Sequence, residues 1–360
     1  MLAAGGTGGH LFPAFALAEE LGRRGIPVEL ATDMRGDRYG TGFPARKVHR
    51  IHSATLGGRS PVAVAKTGWT LTRGVREAFG IIGESQPAVI VGFGGYPSFP
   101  PLLAGKLRGV PTLLHEQNAV LGRANRMLAK RVDLIATSFA KVGMLEAALE
   151  SRTRFTGNPV RQAVIDCATQ AYRAPRGDGP LALLVFGGSQ GASFFSDAVP
   201  PALARLSPGL RTRLDVVQQA REDDVERTRA LYAAAGIKAE VAPFFRDLPA
   251  RMANAQLVIA RAGASTVAEV CAIGRPSILV PLPHALDNDQ LRNATTVAES
   301  GGGLAIAQND LSVERLAAEI ERLAGAPDEL DRLAAAAKAL GRPDAVVLLA
   351  DLVVELGYRG

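Results

Sequence analysis

Short apolar segments recur along the chain, and each is followed by a glycine-rich turn and then by apolar residues at helical spacing. Three of these units are VIVGFGGYPSFPPLLAGKL (89–107), LALLVFGGSQGASFFSDAVPPAL (181–203) and LVIARAGASTVAEVCAIG (257–274). Near the start, GGTGGHLFPAFALAEEL (5–21) supplies a fourth turn and helix. Strands that alternate with helices predict parallel sheets covered on both faces.

The spacing of the four turns predicts two domains. Two turns precede residue 160 and two follow residue 180, in a chain of 360 residues that is long for one core. Composition favours RAPRGDGP (173–180) as the linker between them. We expect two doubly wound α/β domains that face each other across a cleft, with ligands at the carboxyl ends of the strands. The helical pattern after Asp310 predicts packing helices.

Composition narrows the class of protein. Two cysteines, Cys167 and Cys271, do not make a disulfide framework and favour a reducing cytoplasm. No apolar run reaches the roughly 18 residues of a membrane span, and no signal peptide is expected. MLAA is short for a first strand, so we expect that the natural chain begins upstream or that the sequence is truncated. The net charge is +6, but no zinc-finger spacing or long basic helix indicates nucleic acid as a partner.

Polar side chains follow several predicted strands. His10 closes the first glycine turn, and LLHEQNAVLGRANR (113–126) places His115, Glu116 and Asn118 after a strand. Asn118 is alternatively a helix cap. Arg161, in GNPVR, is either a solvated charge or a bidentate partner for phosphate.

The glycine turns match the binding pattern for a nicotinamide dinucleotide only in part. The dinucleotide pattern G-x-G-x-x-G lacks its third glycine, because Leu11 stands there. An NAD enzyme stays open, since Asp33 follows the next apolar stretch where a ribose-binding acid is usual.

Seven motifs, taken in order, are similar to those of one enzyme family. They are AAGGTGGHLFPA, GFGGYPS, LLHEQN, GNPVR, VFGGSQGA, RAGASTVAE and DNDQLRNA. Together they resemble the MurG family of peptidoglycan N-acetylglucosaminyltransferases, within glycosyltransferase family 28. The resemblance implies a GT-B fold of two Rossmann-like domains. It assigns residues 1–158 to the acceptor and the membrane, residues 159–342 to the sugar donor, and a final helix (343–360) to the first domain.

The resemblance also implies an activity. The family transfers N-acetylglucosamine, with inversion, from UDP-N-acetylglucosamine (UDP-GlcNAc) to the 4-hydroxyl of the N-acetylmuramoyl sugar of lipid I. Lipid I is carried on undecaprenyl diphosphate, and the product is lipid II of peptidoglycan biosynthesis. The implied location is peripheral, on the cytoplasmic face of the inner membrane. Proteins of cell-wall synthesis and division are further candidate partners. Open alternatives are another GT-B UDP-sugar transferase, an inactive nucleotide-sugar-binding protein and, more distantly, a UDP-sugar epimerase.

The same resemblance assigns one group of residues to the sugar donor. They are Thr7, Gly8, Gly9, Asn118, Arg161, Ser189, Phe245, Ala264, Ser265, Thr266, Glu269 and Gln290. Phe245 corresponds to a position that packs at uracil through its backbone, and Glu269 to one that binds the ribose hydroxyls. Glu269 alternatively forms a capping box with Thr266. Two features depart from the family: leucine is common where Ser265 stands, and the neighbours of Gln290 vary.

The implied reaction needs a base for the acceptor hydroxyl and stabilisation of the departing UDP. His10 is the first candidate base, because it titrates near neutrality; hydrogen bonding without proton transfer is its alternative role. Glu116 is the second candidate, and Tyr96 and His115 are assigned to the acceptor side of the cleft. Helix N-termini can neutralise the diphosphate together with Arg161 and Ser189. We also expect no Asp-x-Asp motif of the kind that holds a metal at a sugar donor, so no metal and no cofactor are expected.

The segment from Arg59 to Phe79 predicts an amphipathic helix. At helical spacing, one stripe carries basic residues and a tryptophan: Lys66, Trp69, Arg73 and Arg76. Such a stripe suits an anionic membrane surface. The alternative is a core-packed helix with a solvated basic face.

Overall fold

The computed structural model describes residues 1–5, 8–33, 42–54, 61–188, 193–283 and 285–358, without the side chains of residues 61–66 and 286. Thr7, Ser189 and the side chain of Lys66, all predicted site groups, therefore lie outside the described residues. The chain divides into two compact units, Met1–Arg161 with Arg342–Gly360, and Gln162–Gly341.

The linker predicted from composition is wrong, because residues 173–180 lie inside the second unit. This stretch is attached to the rest of the unit by hydrogen bonds and ion pairs. The backbone amide of Ala174 donates to Asp331 Oδ1 at 3.2 Å, and Arg176 Nη2 lies 2.9 Å from Asp331 Oδ2. A segment rich in Pro, Gly and Arg is therefore ordered here by its contacts with a distant aspartate.

The first unit alternates strands and helices, as the glycine turns predicted. Its elements up to residue 155 are β1 (Leu2–Ala3), α1 (Gly8–Arg23), β2 (Glu29–Thr32), β3 (Lys47–Arg50), α2 (Pro61–Ser85), β4 (Ile90–Gly92), α3 (Phe99–Leu107), β5 (Thr112–Glu116), α4 (Arg123–Ala129), β6 (Leu134–Thr137) and β7 (Thr153–Phe155). All paired strands are parallel, in the order β3-β2-β1-β4-β5-β6-β7.

The second unit repeats this plan. Its elements are α5 (Gln162–Cys167), β8 (Leu181–Phe186), α6 (Ser193–Ala204), α7 (Pro208–Arg211), β9 (Leu214–Gln219), α8 (Val225–Ala234), β10 (Ala239–Ala242), α9 (Leu248–Asn254), β11 (Leu257–Ala260), α10 (Ala264–Ile273), β12 (Ser277–Leu279), α11 (Asp289–Glu299), β13 (Leu304–Ala305), α12 (Val313–Ala324) and α13 (Pro327–Leu340). The parallel sheet has the order β10-β9-β8-β11-β12-β13. Both sheets reverse their strand order beside the first strand, which confirms the predicted doubly wound class.

The last helix of the chain, α14 (Ala345–Tyr358), belongs to the first unit. Its Leu349, Val353 and Leu356 share a core cluster with Leu17 and Leu21 of α1. Arg24 Nη1 adds an ion pair at 2.6 Å to Asp351 Oδ1.

Strand alternation divides the first core into two faces. Leu113 of β5 packs on the face that α1 and α14 cover, whereas Leu114 packs with Ile82 of α2 and Leu102 of α3 on the other face. With both faces covered, the turns at the carboxyl ends of the strands remain the natural place for a site. None of the helices in the described part of the chain is long and apolar enough to cross a membrane.

Candidate active site

The carboxyl ends of β1, β4 and β5 converge in the first unit. Gly8, Gly9 and His10 form the first turn of α1, the helix that follows β1 in the chain. Ser98 Oγ, in the turn after β4, lies 2.8 Å from the carbonyl oxygens of both Ala3 and Gly94, which share its one proton, and so connects that turn to β1. Sequence position therefore places His10 at the switch point of the sheet, where doubly wound folds bind ligands.

A chain of hydrogen bonds connects His10 to the neighbouring strand. His10 Nδ1 lies 3.1 Å from Gln117 Oε1, and Gln117 Nε2 lies 2.9 Å from His115 Nδ1. Gln117 Nε2 also donates to the carbonyl of His115 at 3.0 Å. At the far end, His115 Nε2 donates to the carbonyl of Gly157 at 3.1 Å. His10 is half-buried, whereas His115 and Gln117 are buried.

Burial keeps both histidines neutral at pH 7. It lowers the pKa of His115 to about 4, although the hydrogen bond to Gly157 opposes the shift and the charge of His10 adds to it. Burial also lowers the pKa of His10, against smaller opposing effects from the hydrogen bond to Gln117 and from the backbone of Phe93. A neutral imidazole at the switch point is able to accept a proton.

Glu116, the last residue of β5, is buried and bound by four donors. Its Oε1 accepts from the backbone amide of Asn118 at 2.9 Å and from Asn118 Nδ2 at 3.3 Å. Its Oε2 accepts from the amide of Gly122 at 2.9 Å and from Asn125 Nδ2 at 2.7 Å. Burial raises its pKa, while these hydrogen bonds oppose the rise. The carboxylate thus organises the turn that precedes α4.

The helix cap considered for Asn118 is wrong. Helix α4 begins at Arg123, and Gly122 occupies the capping position. The half-buried Asn118 instead lies within the turn that Glu116 organises. The structure therefore leaves Asn118 at the strand end, with a role other than capping to explain its presence.

Two further predicted residues of the first unit are half-buried near its turns. Tyr96 begins a 3-10 turn, Tyr96–Ser98, immediately after β4. Arg161 is the last residue before the second unit, and its guanidinium carbon lies 5.2 Å from the centre of the Phe12 ring in α1. Arg161 is thus associated with the same helix that carries His10.

In the second unit, the predicted donor residues gather at the start of α10. Gly263 is the capping residue, and Ala264, Ser265 and Thr266 form the half-buried first turn. Ser265 Oγ is buried and has no hydrogen-bond partner within the described part of the chain. The amide groups of a first helical turn, aided by the helix dipole, suit a bound anion.

Glu269 is a buried residue in the middle of α10. The capping box considered for Thr266 and Glu269 is wrong, because α10 begins at Ala264 and Thr266 is already inside the helix. A box requires its first residue to precede the helix. The alternative explanation for Glu269 is thereby removed.

Phe245 and Gln290 lie in two other turns of the second unit. The Phe245 ring is buried, and the guanidinium carbon of Arg251 lies 4.3 Å from its centre. The contact of the residue 245 backbone with uracil stays a prediction. Gln290 is the second residue of α11, and its Oε1 accepts from the amide of Leu282 at 3.0 Å.

Helix α2 has one exposed and one packed side. Trp69 is 75% exposed, and Arg73 and Arg76 are also exposed. Ala78 and Ile82 lie on the packed side, in the core. Arg73 Nε lies 3.0 Å from Glu77 Oε1, so a neighbouring carboxylate offsets part of this positive charge.

Sequence reasoning missed two residues that organise the turns. One is Gln117 of LLHEQN, whose i, i+2 relation to His115 along an extended strand predicts that both side chains lie on one side. The buried Arg261, which follows β11, donates from Nη1 to the carbonyls of Val280 at 3.1 Å and Pro281 at 3.2 Å. Its Nη2 donates to Gln308 Oε1 at 2.6 Å. No periodic pattern in the sequence predicts that one arginine side chain connects several turns in this way.

Metal-ligand side chains do not cluster in groups of three or more among the residues that the structure describes. Asp287 and Asp289 form an Asp-x-Asp sequence that the sequence interpretation overlooked. Asp289 Oδ1 accepts from the amide of Gln290 at 2.7 Å, and burial raises the pKa of its carboxyl group. Two such carboxylates do not by themselves make a metal site, and no metal is assigned to this turn.

Comparisons with known proteins cover both units. Residues 1–137 match the glycosyltransferase family 28 N-terminal domain, and residues 182–349 match the glycosyltransferase family 28 C-terminal domain. The UDP-N-acetylglucosamine--N-acetylmuramyl-(pentapeptide) pyrophosphoryl-undecaprenol N-acetylglucosamine transferase of Mesorhizobium japonicum is 57% identical, over 98% of this chain and 93% of that protein. The transferase of the same name from Rhodopseudomonas palustris is 55% identical, over 98% of this chain and 96% of that protein.

Solved structures agree with the sequence relatives. The crystal structure of MurG from Acinetobacter baumannii superposes with a TM-score of 0.80 at 29% identity, over 99% of this chain and 98% of that chain. The UDP-GlcNAc 2-epimerase of Neisseria meningitidis, solved with UDP-GlcNAc bound, has a TM-score of 0.66 at 12% identity, over 100% of this chain and 99% of that chain. At that identity the likeness shows the fold alone.

Proposed function

Because the chain belongs to glycosyltransferase family 28, we propose that it transfers N-acetylglucosamine from UDP-GlcNAc to the 4-hydroxyl of the N-acetylmuramoyl sugar of lipid I. The product is lipid II, a precursor of peptidoglycan. The family resemblance and the GT-B fold predicted from the motifs are confirmed. The observation that carries the proposal is similarity, continuous across both units, to transferases named for this reaction.

The proposed chemistry is a single displacement at the anomeric carbon of the donor. The acceptor oxygen forms a bond to that carbon as the bond to the UDP oxygen breaks. The hydroxyl proton passes to a base, and the electron pair of the broken bond leaves with UDP. Such a step needs a placed base and a positive potential at the diphosphate.

We assign the base to His10. Its imidazole is neutral at pH 7, half-buried, and located at the switch point of the first sheet. Glu116 was the second candidate, but the lone pairs of its carboxylate are engaged by four donors in the turn before α4. This geometry supports His10 over Glu116, and we assign Glu116 to the support of Asn118.

The donor contacts are proposals that rest on the family motifs. Residues of the first turns, Gly8, Gly9 and Ala264–Thr266, are assigned to the diphosphate and the sugar, because their amides and the helix dipoles favour an anion. The remaining assignments are Thr7, Asn118, Arg161, Ser189, Phe245, Glu269 and Gln290. We assign the acceptor, with Tyr96 and His115, to the first unit and the donor mainly to the second.

We further propose that the exposed side of α2 contacts an anionic membrane, which gives the protein a peripheral location on the cytoplasmic face. Trp69 supplies an amphipathic ring, and Arg76 supplies an exposed positive charge on the same side. A lipid-linked acceptor makes such a surface useful, because the undecaprenyl chain stays in the bilayer.

The test is an acceptor-dependent assay with the full chain. UDP release is measured with UDP-GlcNAc and a shortened, water-soluble lipid I analogue, beside a matched analogue that lacks the 4-hydroxyl. We expect release only with the free 4-hydroxyl. Equal release with the 4-deoxy analogue, or none with either, contradicts the proposal; formation of UDP-N-acetylmannosamine without any acceptor would instead identify an epimerase.

A further inference from the structure

We propose that Gln117 is a positioning residue that keeps the proton of neutral His10 on Nδ1, so that Nε2 is the ring atom that accepts a proton. The catalytic meaning of this inference rests on the proposed function. The hydrogen bonds that select the tautomer all lie within the first unit and involve no substrate.

The far end of the hydrogen-bond chain fixes the tautomer of His115. The carbonyl of Gly157 can only accept, so His115 Nε2, at 3.1 Å, carries a proton. His115 is fully buried and its pKa is lowered to about 4, so at pH 7 the ring is neutral and holds one proton. Its Nδ1 is therefore an acceptor.

The second step fixes the orientation of the Gln117 amide. One end of this amide faces two acceptors, the carbonyl oxygen of His115 at 3.0 Å and His115 Nδ1 at 2.9 Å. Only an NH₂ group satisfies both, because it offers two donors. The amide oxygen must then be the atom that faces His10. Because Gln117 is buried, a flipped amide would place its oxygen against the two acceptor atoms of His115, with no water to hydrogen-bond either.

The orientation of the Gln117 amide in turn determines the tautomer of His10. The backbone of Phe93 also hydrogen-bonds to His10 and competes for the single proton of the neutral ring. Gln117 Oε1 lies 3.1 Å from His10 Nδ1 and is an acceptor, so the buried Gln117 is satisfied only when Nδ1 donates. In a neutral ring the other nitrogen, Nε2, then has a free lone pair. A glycine borders that atom: a Cβ at position 95 would lie 3.3 Å from Nε2, and Gly95 has a φ of 68°, which favours glycine. The sequence thus keeps a side chain away from the proposed basic atom.

An amide suits this task better than a carboxylate would. A carboxylate beside Nδ1 would favour the imidazolium and raise the pKa of His10, whereas an amide oxygen orients the ring without adding a charge. The buried Gln117 therefore selects a tautomer while His10 stays neutral and ready to accept a proton at pH 7.

The spectroscopic test uses ¹⁵N-histidine in the full chain at pH 7, with the His10 and His115 signals assigned from His10→Gln and His115→Gln variants. We expect wild-type His10 to carry its proton on Nδ1 and His115 on Nε2. In Gln117→Met, which keeps a similar length but has no amide, His10 should shift toward the Nε2-protonated form. A wild-type His10 proton on Nε2, donated for example to the carbonyl of Phe93, overturns the proposal even if the variant does not fold.

The kinetic test compares Gln117→Met with Gln218→Met. Gln218 is also fully buried, but it lies in the second unit and accepts from the Tyr232 hydroxyl, so its replacement controls for loss of a buried glutamine. We expect Gln117→Met to lower kcat about 10- to 100-fold, a part of what a general base contributes, with the KM for UDP-GlcNAc within about threefold. Gln218→Met should change kcat little. An unchanged kcat in a folded Gln117→Met protein contradicts the positioning role.

One further variant separates the failure of this inference from the failure of the proposed function. His10→Gln should lower kcat about 10²- to 10⁴-fold if His10 is the base. A normal kcat in His10→Gln, with the predicted tautomers present, removes the base assignment and with it the catalytic role of Gln117. Absence of transfer by the wild-type protein counts against the proposed function, while the spectrum still decides whether Gln117 selects the tautomer.

Discussion

The buried ring of His115 links protonation to the stability of the first unit. Its pKa in the folded protein is about 4, whereas that of an exposed histidine is near 6.5. Below about pH 6.5 the unfolded chain binds a proton that the folded protein excludes, so folding is increasingly opposed as the pH falls toward 4. Above pH 6.5 the full contribution of the neutral ring is retained.

We predict that acidification from pH 7 to pH 5 costs about 2 kcal/mol of unfolding free energy through His115 alone. Urea unfolding at both pH values, followed by circular dichroism, measures the loss, and a His115→Gln variant should lose that much less. Equal pH dependence in wild type and His115→Gln would show that the ring does not titrate in this way.

Glu269 lies within α10 and not at its start. As a buried residue inside α10 it does not cap the start of that helix, and the ribose contact is a proposal that rests on the family motif. A carboxylate offers only acceptors, which fits two hydroxyl donors, and charge-assisted bonds are the stronger kind.

We predict that Glu269→Gln weakens donor recognition by about 1.5–3 kcal/mol and reduces the preference for UDP over 2′-deoxy-UDP. The KM for UDP-GlcNAc and the inhibition constants of the two nucleotides measure these effects. The exposed Glu299→Gln, at the end of α11, is the control. Unaltered KM and unaltered discrimination against the deoxy nucleotide would remove Glu269 from the donor site.

At the scale of an element, α2 shows how glycine sets the distance between a helix and its neighbours. A Cβ at Gly74 would overlap the carbonyl oxygen of His52 and lie 3.1 Å from Pro100 Cγ, whereas a Cβ at Gly80 would meet nothing within 4 Å. The two glycines lie on the same helix and differ only in what they approach.

We predict opposite effects for alanine at these two sites. Gly74→Ala should destabilise the protein by about 1–3 kcal/mol, because the helix must move away from the backbone of His52. Gly80→Ala should be neutral or stabilising by up to about 1 kcal/mol, because alanine is the better helix former. Urea unfolding of the paired variants measures both. Equal stabilities would show that α2 does not lie this close to residue 52.

The exposed side of α2 carries the membrane proposal. Arg73 is paired with Glu77, so Trp69 and Arg76 are the better residues to test. We predict that Trp69→Ala with Arg76→Gln reduces sedimentation with anionic vesicles, at about 1 kcal/mol for the arginine, and spares transfer to a water-soluble acceptor. The control pairs Leu231→Ala with Arg332→Gln, two exposed residues of the second unit. If the test and control pairs bind vesicles equally, α2 is a packed helix with a solvated face.

At the scale of the whole molecule, periodicity and glycine turns were sufficient to predict two doubly wound units. These patterns are local in the chain, and the alternation of apolar strands and helices determines how helices cover the two faces of each sheet. The unit boundary was not predictable from composition, since Asp331, more than 150 positions away, orders the stretch 173–180. The candidate site, like the fold, was predictable only in part. The motifs located His10 and Glu116, but only the three-dimensional contacts reveal that Glu116 is fully bonded and that Gln117 connects two histidines.

The stereochemistry of the product tests the central claim most directly. The full chain is incubated with UDP-GlcNAc, an α-linked donor, and the shortened lipid I analogue, and the anomeric carbon–hydrogen coupling of the new disaccharide is measured by nuclear magnetic resonance. A single displacement with His10 as base predicts one product, in which N-acetylglucosamine is β-linked to the 4-oxygen of the muramoyl sugar. An α-linkage, a bond to another hydroxyl, or no disaccharide at all would contradict the account.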